Sequence, residues 1–335
     1  MKKQRITLKD VAREAGVTPA TVSMVINNKP NISQETKEKV WAVIKKLGYY
    51  PNFIAKGLAT NKTNTIAVII PDLSSLFALE VLRGIRDRIT EDDSIYYNII
   101  LFDMISYYKS RSLKEIFQRI IGERRADGLI IIGHTIEEEA LEILQENELP
   151  FILVATNSSK YDCIYSNDRL GAYKAVEYLL KKGYKKIGII YNKLVEDRLK
   201  GYLEVLKNND IPINEKYIIE VPSMDLNSGL KLGEKLVEEG FEFDSLFVAA
   251  NDLTAIGIMK VLLKNGYRIP EDIAIIGYDD IPAAELIVPS LTTIKQPLQE
   301  LGKEALISII DKIEGRNKER INLILKPNLI ERETA

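Results

Sequence analysis

Residues 7–23 of the chain read TLKDVAREAGVTPATVS, and this stretch predicts two short helices joined by a tight turn. Thr7 offers a hydroxyl N-cap with Asp10 three positions later, which is the spacing of a capping box. Gly16 is a natural helix end, because glycine adopts the left-handed backbone conformation at low cost. Thr18-Pro19 then starts the second helix, since proline at the first helical position loses no hydrogen bond. The stretch therefore predicts a helix-turn-helix.

The second predicted helix, about residues 19–27, has two faces. Val22 and Val25 turn inward, which leaves the opposite face free to touch base edges and phosphates. A third helix is capped by Ser33 and runs to Gly48. Three short helices also fit a small bundle without a ligand, but the basic charge of this part favours DNA binding. The free face of the second helix carries Ala20, Thr21, Ser23, Met24 and Asn27.

Charge is distributed unevenly along the chain. The 335 residues include 46 Lys and Arg and 48 Asp and Glu, which gives a net charge of −2. Residues 1–60 hold eleven basic and four acidic residues, a net charge of +7, so residues 61–335 carry −9. For nucleic-acid binding a local basic surface matters more than the total charge. The N-terminal part is therefore the predicted DNA-binding part.

The sequence carries no recognisable targeting segment. The N-terminus leads into a polar, helix-forming stretch, and the strongest apolar run, residues 66–70, is far shorter than the roughly 20 residues that span a bilayer. A single cysteine, Cys163, and a single histidine, His134, indicate structural roles and neither a disulfide nor a metal site. We expect a cytoplasmic protein of two or three folded units, without a metal, a cofactor or a membrane contact.

From residue 66 onward, short apolar runs alternate with amphipathic stretches that predict helices. Continuous apolar runs are typical of parallel strands that helices cover on both faces, and turn signals such as Gly183 and Gly266 end the helices between them. The predicted fold is a doubly wound α/β domain of two similar lobes, starting near residues 66 and 167, with a cleft between them. The predicted strands are residues 66–70, 129–132, 151–154, 187–191, 246–249 and 273–277.

Polar residues follow three of these runs. Asp72 comes after the first, Asn251-Asp252 after the fifth and Tyr278-Asp279-Asp280 after the last. Ligands of open α/β sheets bind beyond the carboxyl ends of the strands. Carboxylates, amides and an arginine such as Arg198 bind the hydroxyl and ring groups of polyols, sugars or nucleobases. Each residue alone fits a helix cap or a turn equally well, and only their joint placement favours a binding site.

Residues 7–23 resemble the signature of the lactose/galactose repressor family (LacI/GalR-type) of bacterial transcriptional regulators. The resemblance implies a headpiece over residues 1–50, a hinge over 51–63 and a periplasmic-binding-protein-like effector domain over 64–335. It spans essentially the whole chain, through Leu47-Gly48-Tyr49, Pro51-Asn52, Leu58-Ala59-Thr60, Ile70-Pro71-Asp72, Asp127-Gly128, residues 198–202, Ala250-Asn251-Asp252, residues 269–272, residues 277–280 and residues 291–294.

The resemblance implies that the second helix enters the major groove of operator DNA. Pro19 and Ala20 stand at the positions that most often set operator preference, where they offer apolar contact, for instance with a thymine methyl group. Met24 stands where arginine is usual in the family, so it indicates either a different operator or a semi-exposed packing residue. The residues expected to contact phosphates or base edges are Thr7, Thr18, Thr21, Ser23 and Asn27.

The segment 51–63 contains Gly57 and is too short to hold a helix on its own. By resemblance, two copies of it pair in a dimer and fold on the minor groove, where Leu58 wedges into a base step and Lys56 attracts a phosphate. A plain interdomain linker is the alternative. If the hinge hypothesis is right, Leu58→Ala weakens specific DNA binding much more than non-specific binding, and equal losses would contradict it.

Carried over by position, Asp279 and Arg198 are the main polar anchors of a small-molecule effector, expected to be a sugar or sugar derivative, and Phe77 is an aromatic wall. Ala155 stands where several sugar-binding relatives have an acidic residue, and Asn167-Asp168 reverses the usual order of that pair. These departures indicate a different or larger sugar. The lesser lining residues are Asp72, Ser75, Leu76, Met224 and Asn251.

Three other functions fit parts of the sequence. An enzyme is disfavoured, because the chain has no Gly-x-Gly-x-x-Gly after a strand, no Walker loop, no Gly-x-Ser-x-Gly and no His-Glu-x-x-His. An extracytoplasmic solute-binding protein is disfavoured by the headpiece. A nucleobase or other corepressor stays open, because induction and corepression differ only in which state the ligand prefers. We predict a homodimeric repressor on a near-palindromic operator, with activation at some promoters left open.

Overall fold

The computed structural model describes residues 6–26, 30–49, 62–104, 112–133 and 136–335. The chain divides into two compact units, Met1–Asn64 and Thr65–Ala335. Asn27, His134 and most of the predicted hinge, including Lys56 and Leu58, lie outside the described residues.

The described residues of the N-terminal unit form three helices, α1 (Leu8–Ala15), α2 (Pro19–Ile26) and α3 (Gln34–Leu47). The predicted capping box is confirmed, because the Thr7 hydroxyl accepts from the Asp10 amide while the Asp10 carboxylate accepts from the Thr7 amide. Gly16 and Gly48 end α1 and α3 in the left-handed conformation, with φ of 63° and 62°. The predicted helix-turn-helix and third helix are therefore confirmed.

Apolar residues from all three helices form one small core. Val22 and Val25 of α2 are buried as predicted. At the surface, Lys46 of α3 forms an ion pair with Glu14 of α1 at 2.7 Å, and its exposure limits what it contributes to stability. The remaining core residues are Val11, Ala12, Ala15, Val40, Ile44 and Tyr49.

The larger unit alternates strands and helices along the chain. Its strands are β1 (Thr65–Ile70), β2 (Asn98–Asp103), β3 (Gly128–Ile132), β4 (Phe151–Val154), β5 (Cys163–Ser166), β6 (Ile187–Tyr191), β7 (Ile218–Glu220), β8 (Ser245–Val248), β9 (Ala274–Asp279), β10 (Thr292–Lys295), β11 (Asn322–Leu325) and β12 (Asn328–Ile330). Its helices are α4 (Leu76–Glu91), α5 (Leu113–Gly122), α6 (Glu138–Glu146), α7 (Asp168–Lys181), α8 (Glu196–Asn208), α9 (Leu226–Glu239), α10 (Asp252–Lys264), α11 (Pro282–Leu286) and α12 (Leu298–Ile313).

These strands form two sheets, which define lobe 1 and lobe 2. The order in lobe 1 is β11-β5-β4-β3-β1-β2, and the order in lobe 2 is β12-β10-β9-β8-β6-β7. All pairs are parallel except β10 with β12. The six predicted strands are confirmed as β1, β3, β4, β6, β8 and β9, and the other six were not predicted.

Helices cover both faces of each sheet. In β1, Ala67 and Ile69 pack into the apolar cluster on one face, while Ile66, Val68 and Ile70 pack into the cluster on the other. Every residue of β1, β3 and β4 is therefore buried. Burial on both faces explains why these strands read as continuous apolar runs.

The chain passes between the lobes three times. It crosses from β5 to α7, from β10 to α12 and from β11 to β12. Helix α12 packs on α4, β3, β4 and β5, so it returns to lobe 1. Each crossing leaves the carboxyl end of a strand, and β12 starts beside the carboxyl end of β10, where Asn328 pairs with Lys295. The carboxyl ends of the two sheets therefore face each other.

Within the described residues, no helix is both long enough and apolar enough to cross a membrane.

Candidate functional site

The exposed surface of α2 holds most of the predicted DNA contacts in the described part of the headpiece. Pro19 and Ala20 are exposed at its N-terminus, and 45 % of Met24 is exposed one turn later. Thr21 and Ser23 are half-buried beside them. A major groove accommodates an α-helix, so this surface has the size and shape that base-edge contacts require.

Two of the predicted contacts are threonines that cap helices. The Thr18 hydroxyl accepts from the Thr21 amide at 3.1 Å, and the two hydroxyls lie 2.9 Å apart. The Thr7 hydroxyl donates to Asp10 at 2.6 Å. Both hydroxyls are therefore engaged within the headpiece.

In lobe 2, Arg198 is almost completely buried, with 1 % of its surface exposed. Its Nε donates to Asp168 Oδ2 at 3.0 Å, and its Nη1 donates to the carbonyls of Ala249 and Ala250 at 2.9 and 3.0 Å. Arg198 lies in the first turn of its helix. A short 3₁₀ turn, Lys193–Val195, leads into α8, and Arg198 is the third residue of that helix.

Tyr278 of β9 completes the surroundings of this guanidinium. The Arg198 Cζ lies 3.6 Å from the centre of the Tyr278 ring, and the Tyr278 hydroxyl donates to Asp168 Oδ1 at 3.0 Å. Burial raises the pKa of Tyr278 well above its ordinary value, so the phenol stays protonated and can donate. A ring face stabilises a buried cation, and the carboxylate compensates its charge.

Asp279 ends β9 and lies next to Arg198. Its Oδ1 accepts from Gln296 Nε2 at 2.7 Å and lies 4.0 Å from Arg198 Nη2, beyond hydrogen-bond distance. Burial raises the pKa of Asp279 to about 6, although Arg198 and Gln296 act in the opposite direction. The structure thus brings the polar groups of the two predicted anchors close together.

The turn that carries Asp279 is held by a second buried carboxylate. Asp279 and Asp280 have φ of 114° and 57°, which residues other than glycine rarely adopt. Asp252 accepts from the Ile281 amide at 2.9 Å and from the Thr293 hydroxyl at 2.6 Å. Burial, with Asp279 nearby, raises the pKa of Asp252 well above its ordinary value. Asp252 therefore shapes the site from beneath.

Asn251 and Met224 border the same end of lobe 2. Asn251 Oδ1 caps α10 by accepting from the Thr254 amide at 2.9 Å, and its Nδ2 donates to the Met224 carbonyl at 2.7 Å. The side chain thus has the capping role that fits an asparagine at this point of the sequence. It can still offer the second hydrogen of Nδ2 to a ligand.

The lobe 1 residues form a separate group after β1. Asp72 accepts from the Ser74 amide at 2.8 Å, and Ser75 caps α4 by accepting from the Ala78 amide at 3.2 Å. Leu76 and Phe77 begin α4 and are half-buried, and Phe77 packs against the core beneath. This group lies just beyond the carboxyl end of β1.

Three residues contact the anchors in ways that the sequence did not predict. Asp168 and Gln296 lie at the first two crossings between the lobes, and Tyr278 follows a predicted strand and lies in β9. Each contacts a residue from another element, so no local pattern predicts the contact. In lobe 1, Ala155 follows β4 with φ of 63°, an unusual backbone conformation at the carboxyl end of the sheet.

Groups that support metal or thiol chemistry are not apparent in the described residues. No set of three or more His, Cys, Asp or Glu there is arranged to hold a metal ion. Cys163 is buried in the lobe 1 core, where burial raises the pKa of its thiol. A buried thiol with a raised pKa is a poor nucleophile.

A helix-turn-helix unit followed by a two-lobed α/β unit is the architecture of a ligand-responsive DNA-binding regulator. Residues 7–52 match the family model of bacterial regulatory proteins, lacI family, and residues 176–335 match that of the periplasmic binding protein-like domain. The chain belongs to the LacI family and is a DNA-binding transcriptional regulator.

Relatives match over almost the whole chain. Catabolite control protein A of Priestia megaterium is 32 % identical over 97 % of this chain and 98 % of its own length. The transcriptional repressor PurR of Vibrio atlanticus is 32 % identical over 98 % of each.

Two solved structures are also similar. One is the Lac repressor dimer bound to operator and the anti-inducer ONPF, with 25 % identity over 99 % of both chains and a TM-score of 0.85. The other is the complex of the transcriptional regulator CelR with cellobiose, with 26 % identity over 99 % of this chain and 100 % of that one, and a TM-score of 0.73.

Proposed function

We propose that this regulator is a repressor whose affinity for its operator is controlled by a sugar or sugar derivative bound between the two lobes. The observation that carries the proposal is the pair of buried polar groups Arg198 Nη2 and Asp279 Oδ1, which lie 4.0 Å apart. A sugar hydroxyl that contacts both groups can accept from the guanidinium and donate to the carboxylate. The structural relative in complex with cellobiose supports a sugar as the ligand class.

The same proposal gives the other predicted residues their roles. Asn251, Met224 and Asp72 contact the ligand from beyond the ends of β8, β7 and β1, and Ser75, Leu76 and Phe77 contact it from the start of α4. When the lobes close around the ligand, their relative orientation changes at the three crossings. A ligand that prefers the closed arrangement shifts the population toward it, by no more than its difference in affinity for the two states.

On the DNA side, we propose that two protomers bind a near-palindromic operator. In each protomer, α2 enters the major groove of one half-site through Pro19, Ala20, Thr21, Ser23 and Met24. The predicted contacts of Asn27, Lys56 and Leu58 remain part of this proposal. DNA is the partner of the headpiece, so the protein acts where bacterial DNA lies, in the cytoplasm.

Apolar side chains are exposed on both lobes, and we propose that a second copy of the chain covers them. Edge strand β2 exposes 39 % of Ile100 and 43 % of Leu101, and lobe 2 exposes 80 % of Leu286 and 87 % of Val288. Exposed apolar residues on an edge strand are unusual unless a partner covers them. Light scattering should give a dimer for the natural chain and a monomer for a Leu101→Glu, Val288→Asp double variant.

Sequencing the genomic fragments that the purified protein retains tests the DNA-binding half of the proposal. Retention at moderate salt separates specific binding from contacts with phosphates alone. We expect one palindromic sequence with a flexible step at its centre, and adding the effector should change how much of it is retained. Release by the effector indicates induction, and retention only with the effector indicates a corepressor. If no sequence is enriched with or without candidate effectors, the proposal is wrong.

We also propose that the protein is not an enzyme. The polar groups of the interlobe site are held by capping bonds, backbone carbonyls and one another, which suits binding more than proton transfer or nucleophilic attack. An incubation of the retained effector with the protein should return it unchanged.

A further inference from the structure

Arg198 uses most of its hydrogen-bond donors within the protein. A guanidinium has five N–H groups. The Nε hydrogen goes to Asp168, and Nη1 donates to the carbonyls of Ala249 and Ala250. Only Nη2 is left to face a ligand, and it is 4.0 Å from Asp279 Oδ1. A carboxylate or phosphate therefore cannot form the paired bonds that such anions usually make with arginine.

Asp168 connects the guanidinium of Arg198 to the phenol of Tyr278. It is the first residue of α7, directly after the first crossing between the lobes, and its side chain is 18 % exposed. Oδ2 accepts from Arg198 at 3.0 Å and Oδ1 accepts from the Tyr278 hydroxyl at 3.0 Å. One carboxylate thus holds the guanidinium and the phenol ring in their stacked arrangement.

The charges around Arg198 and Asp279 sum to a negative value once Asp279 is ionised. Arg198 contributes one positive charge, and Asp168 and Asp279 contribute one negative charge each. The carboxylate of the next residue, Asp280, forms an ion pair with Arg332 at 2.7 Å, so these two charges cancel, and Lys295 lies 3.3 Å from the same carboxylate. The Lys295 side chain is 57 % exposed, so water screens it, whereas buried charges are screened much less.

We infer that Asp168 is a positioning residue that compensates the charge of Arg198 and so makes the effector site select uncharged ligands over anionic ones. This inference rests on the proposed function, because it concerns a ligand bound beside Arg198 and Asp279. The ligand class is a neutral polyol or sugar, or one that carries an amine. Sugar acids and sugar phosphates are rejected, because their charge meets a buried site that is already negative.

Calorimetry with matched sugars tests this selectivity in the full-length protein at about pH 7. The probes are glucose, glucosamine and glucuronate, with galactose, galactosamine and galacturonate as a second set. In any set that binds, we expect the uronate to bind at least tenfold more weakly than the neutral sugar. A uronate that binds as tightly as its neutral counterpart overturns the inference.

Two variants separate a positioning role from a merely structural one. Asp168→Asn keeps the shape but removes the charge, so the affinity of the uronate relative to the neutral sugar should rise at least tenfold. Asp168→Ala removes both contacts, and all affinities should fall. If both variants weaken every ligand in parallel and leave the ratio unchanged, Asp168 is only structural and the inference is wrong.

Asp244→Asn is the matched control. Asp244 directly precedes β8, at the opposite end of that strand from Asn251, and it accepts from the backbone amides of Lys185 and Lys186. Its substitution should leave the ratio of uronate to neutral sugar unchanged.

If none of the six probes binds, that result counts against the proposed function alone. A measurement without any sugar then tests the inference. In protein labelled with ¹⁵N-arginine, sodium sulfate should leave the Arg198 Nε–H signal in place, and in Asp168→Asn it should shift that signal. Exchange of this hydrogen with water should be at least tenfold faster in Asp168→Ala. A sulfate-induced shift in the natural protein, or an exchange rate unchanged by the alanine, contradicts the inference.

Discussion

The guanidinium of Arg198 lies 3.6 Å from the ring centre of Tyr278, and both side chains are almost fully buried. A buried cation without partners is costly, so the stacked ring and the carboxylate of Asp168 are conditions for placing an arginine here. The contact joins α8 to β9, the two elements that carry the anchors Arg198 and Asp279.

Substitutions of Tyr278 should separate the ring from the hydroxyl. Tyr278→Phe keeps the ring over Arg198 and loses one hydrogen bond, so it should cost about 1 kcal/mol of unfolding free energy. Tyr278→Ala also leaves a cavity beside the buried guanidinium, and we expect about 3–5 kcal/mol or failure to fold. Urea denaturation measures both, and equal costs for the two variants would contradict this role of the ring.

Asp279 should make the stability of the protein depend on pH. Its pKa is about 6 in the folded chain and 3.8 in the ordinary state, so the folded state binds more protons between these values. Ionising this carboxyl therefore lowers stability as pH rises through that window, by about 3 kcal/mol at most. In Asp279→Asn the amide oxygen can still accept from Gln296.

The asparagine variant should therefore match the natural protein near pH 4 and exceed it by about 1–3 kcal/mol at pH 7, from the same linkage. Urea denaturation of both proteins across this range measures the difference. A difference that is constant with pH would show that burial does not perturb Asp279.

The packing of α4 against α12 depends on glycines that allow the backbones to touch. A Cβ on Gly84 would lie 1.9 Å from the backbone oxygen of Gln299, and one on Gly302 would lie 2.0 Å from that of Val81. Gly84→Ala should therefore cost about 3 kcal/mol or more, because neither backbone can move without separating the helices.

Gly122→Ala is the control for this packing, since a Cβ there meets nothing within 4 Å. It should be neutral or stabilise the protein by about 0.5–1 kcal/mol, because alanine favours the helix. Thermal unfolding compares the melting temperatures of the two variants. Similar melting temperatures would argue against close contact of α4 and α12.

Met24 should set the base preference at one operator position. It is exposed on α2, where an arginine can form two hydrogen bonds to a guanine edge and a methionine cannot. Met24→Arg should shift the selected base toward guanine with a preference of about 1–3 kcal/mol. Binding-site selection from random DNA measures it, with Met24→Ala as the control. An unchanged site in both variants would place Met24 outside the interface.

Local sequence patterns predict the helices and strands whose formation depends on residues close to one another in the chain. The caps at Thr7 and Ser33 and the buried strands β1, β3, β4, β6, β8 and β9 are all visible in the sequence. The six strands that were not predicted are short, polar or half-exposed. In β10, for example, Thr292 and Thr293 are completely buried because Thr334 and Asp252 supply their hydrogen bonds. Those partners lie far along the chain, so no window of sequence contains them.

The residues of the proposed interlobe site also fall into two groups, those that local sequence patterns predict and those that they do not. Asp279 and Arg198 could be predicted, because they follow or precede recognisable elements and carry charge. Gln296 and Asp168 could not be predicted as their partners, since these contacts form only when the chain crosses between the lobes. The return of α12 and β11 to lobe 1 also depends on those crossings, and it is the reason why the lobes are not two consecutive halves of the sequence.

The operator affinity of the natural protein and of Asp279→Ala, measured by fluorescence anisotropy with and without the effector, tests the central claim most directly. The effector should change the Kd of the natural protein by a factor of about 5–150, which is the usual range of coupling between two sites. The variant should keep the effector-free Kd and show no change when the effector is added. A variant that responds as the natural protein does would contradict control of the operator through this site.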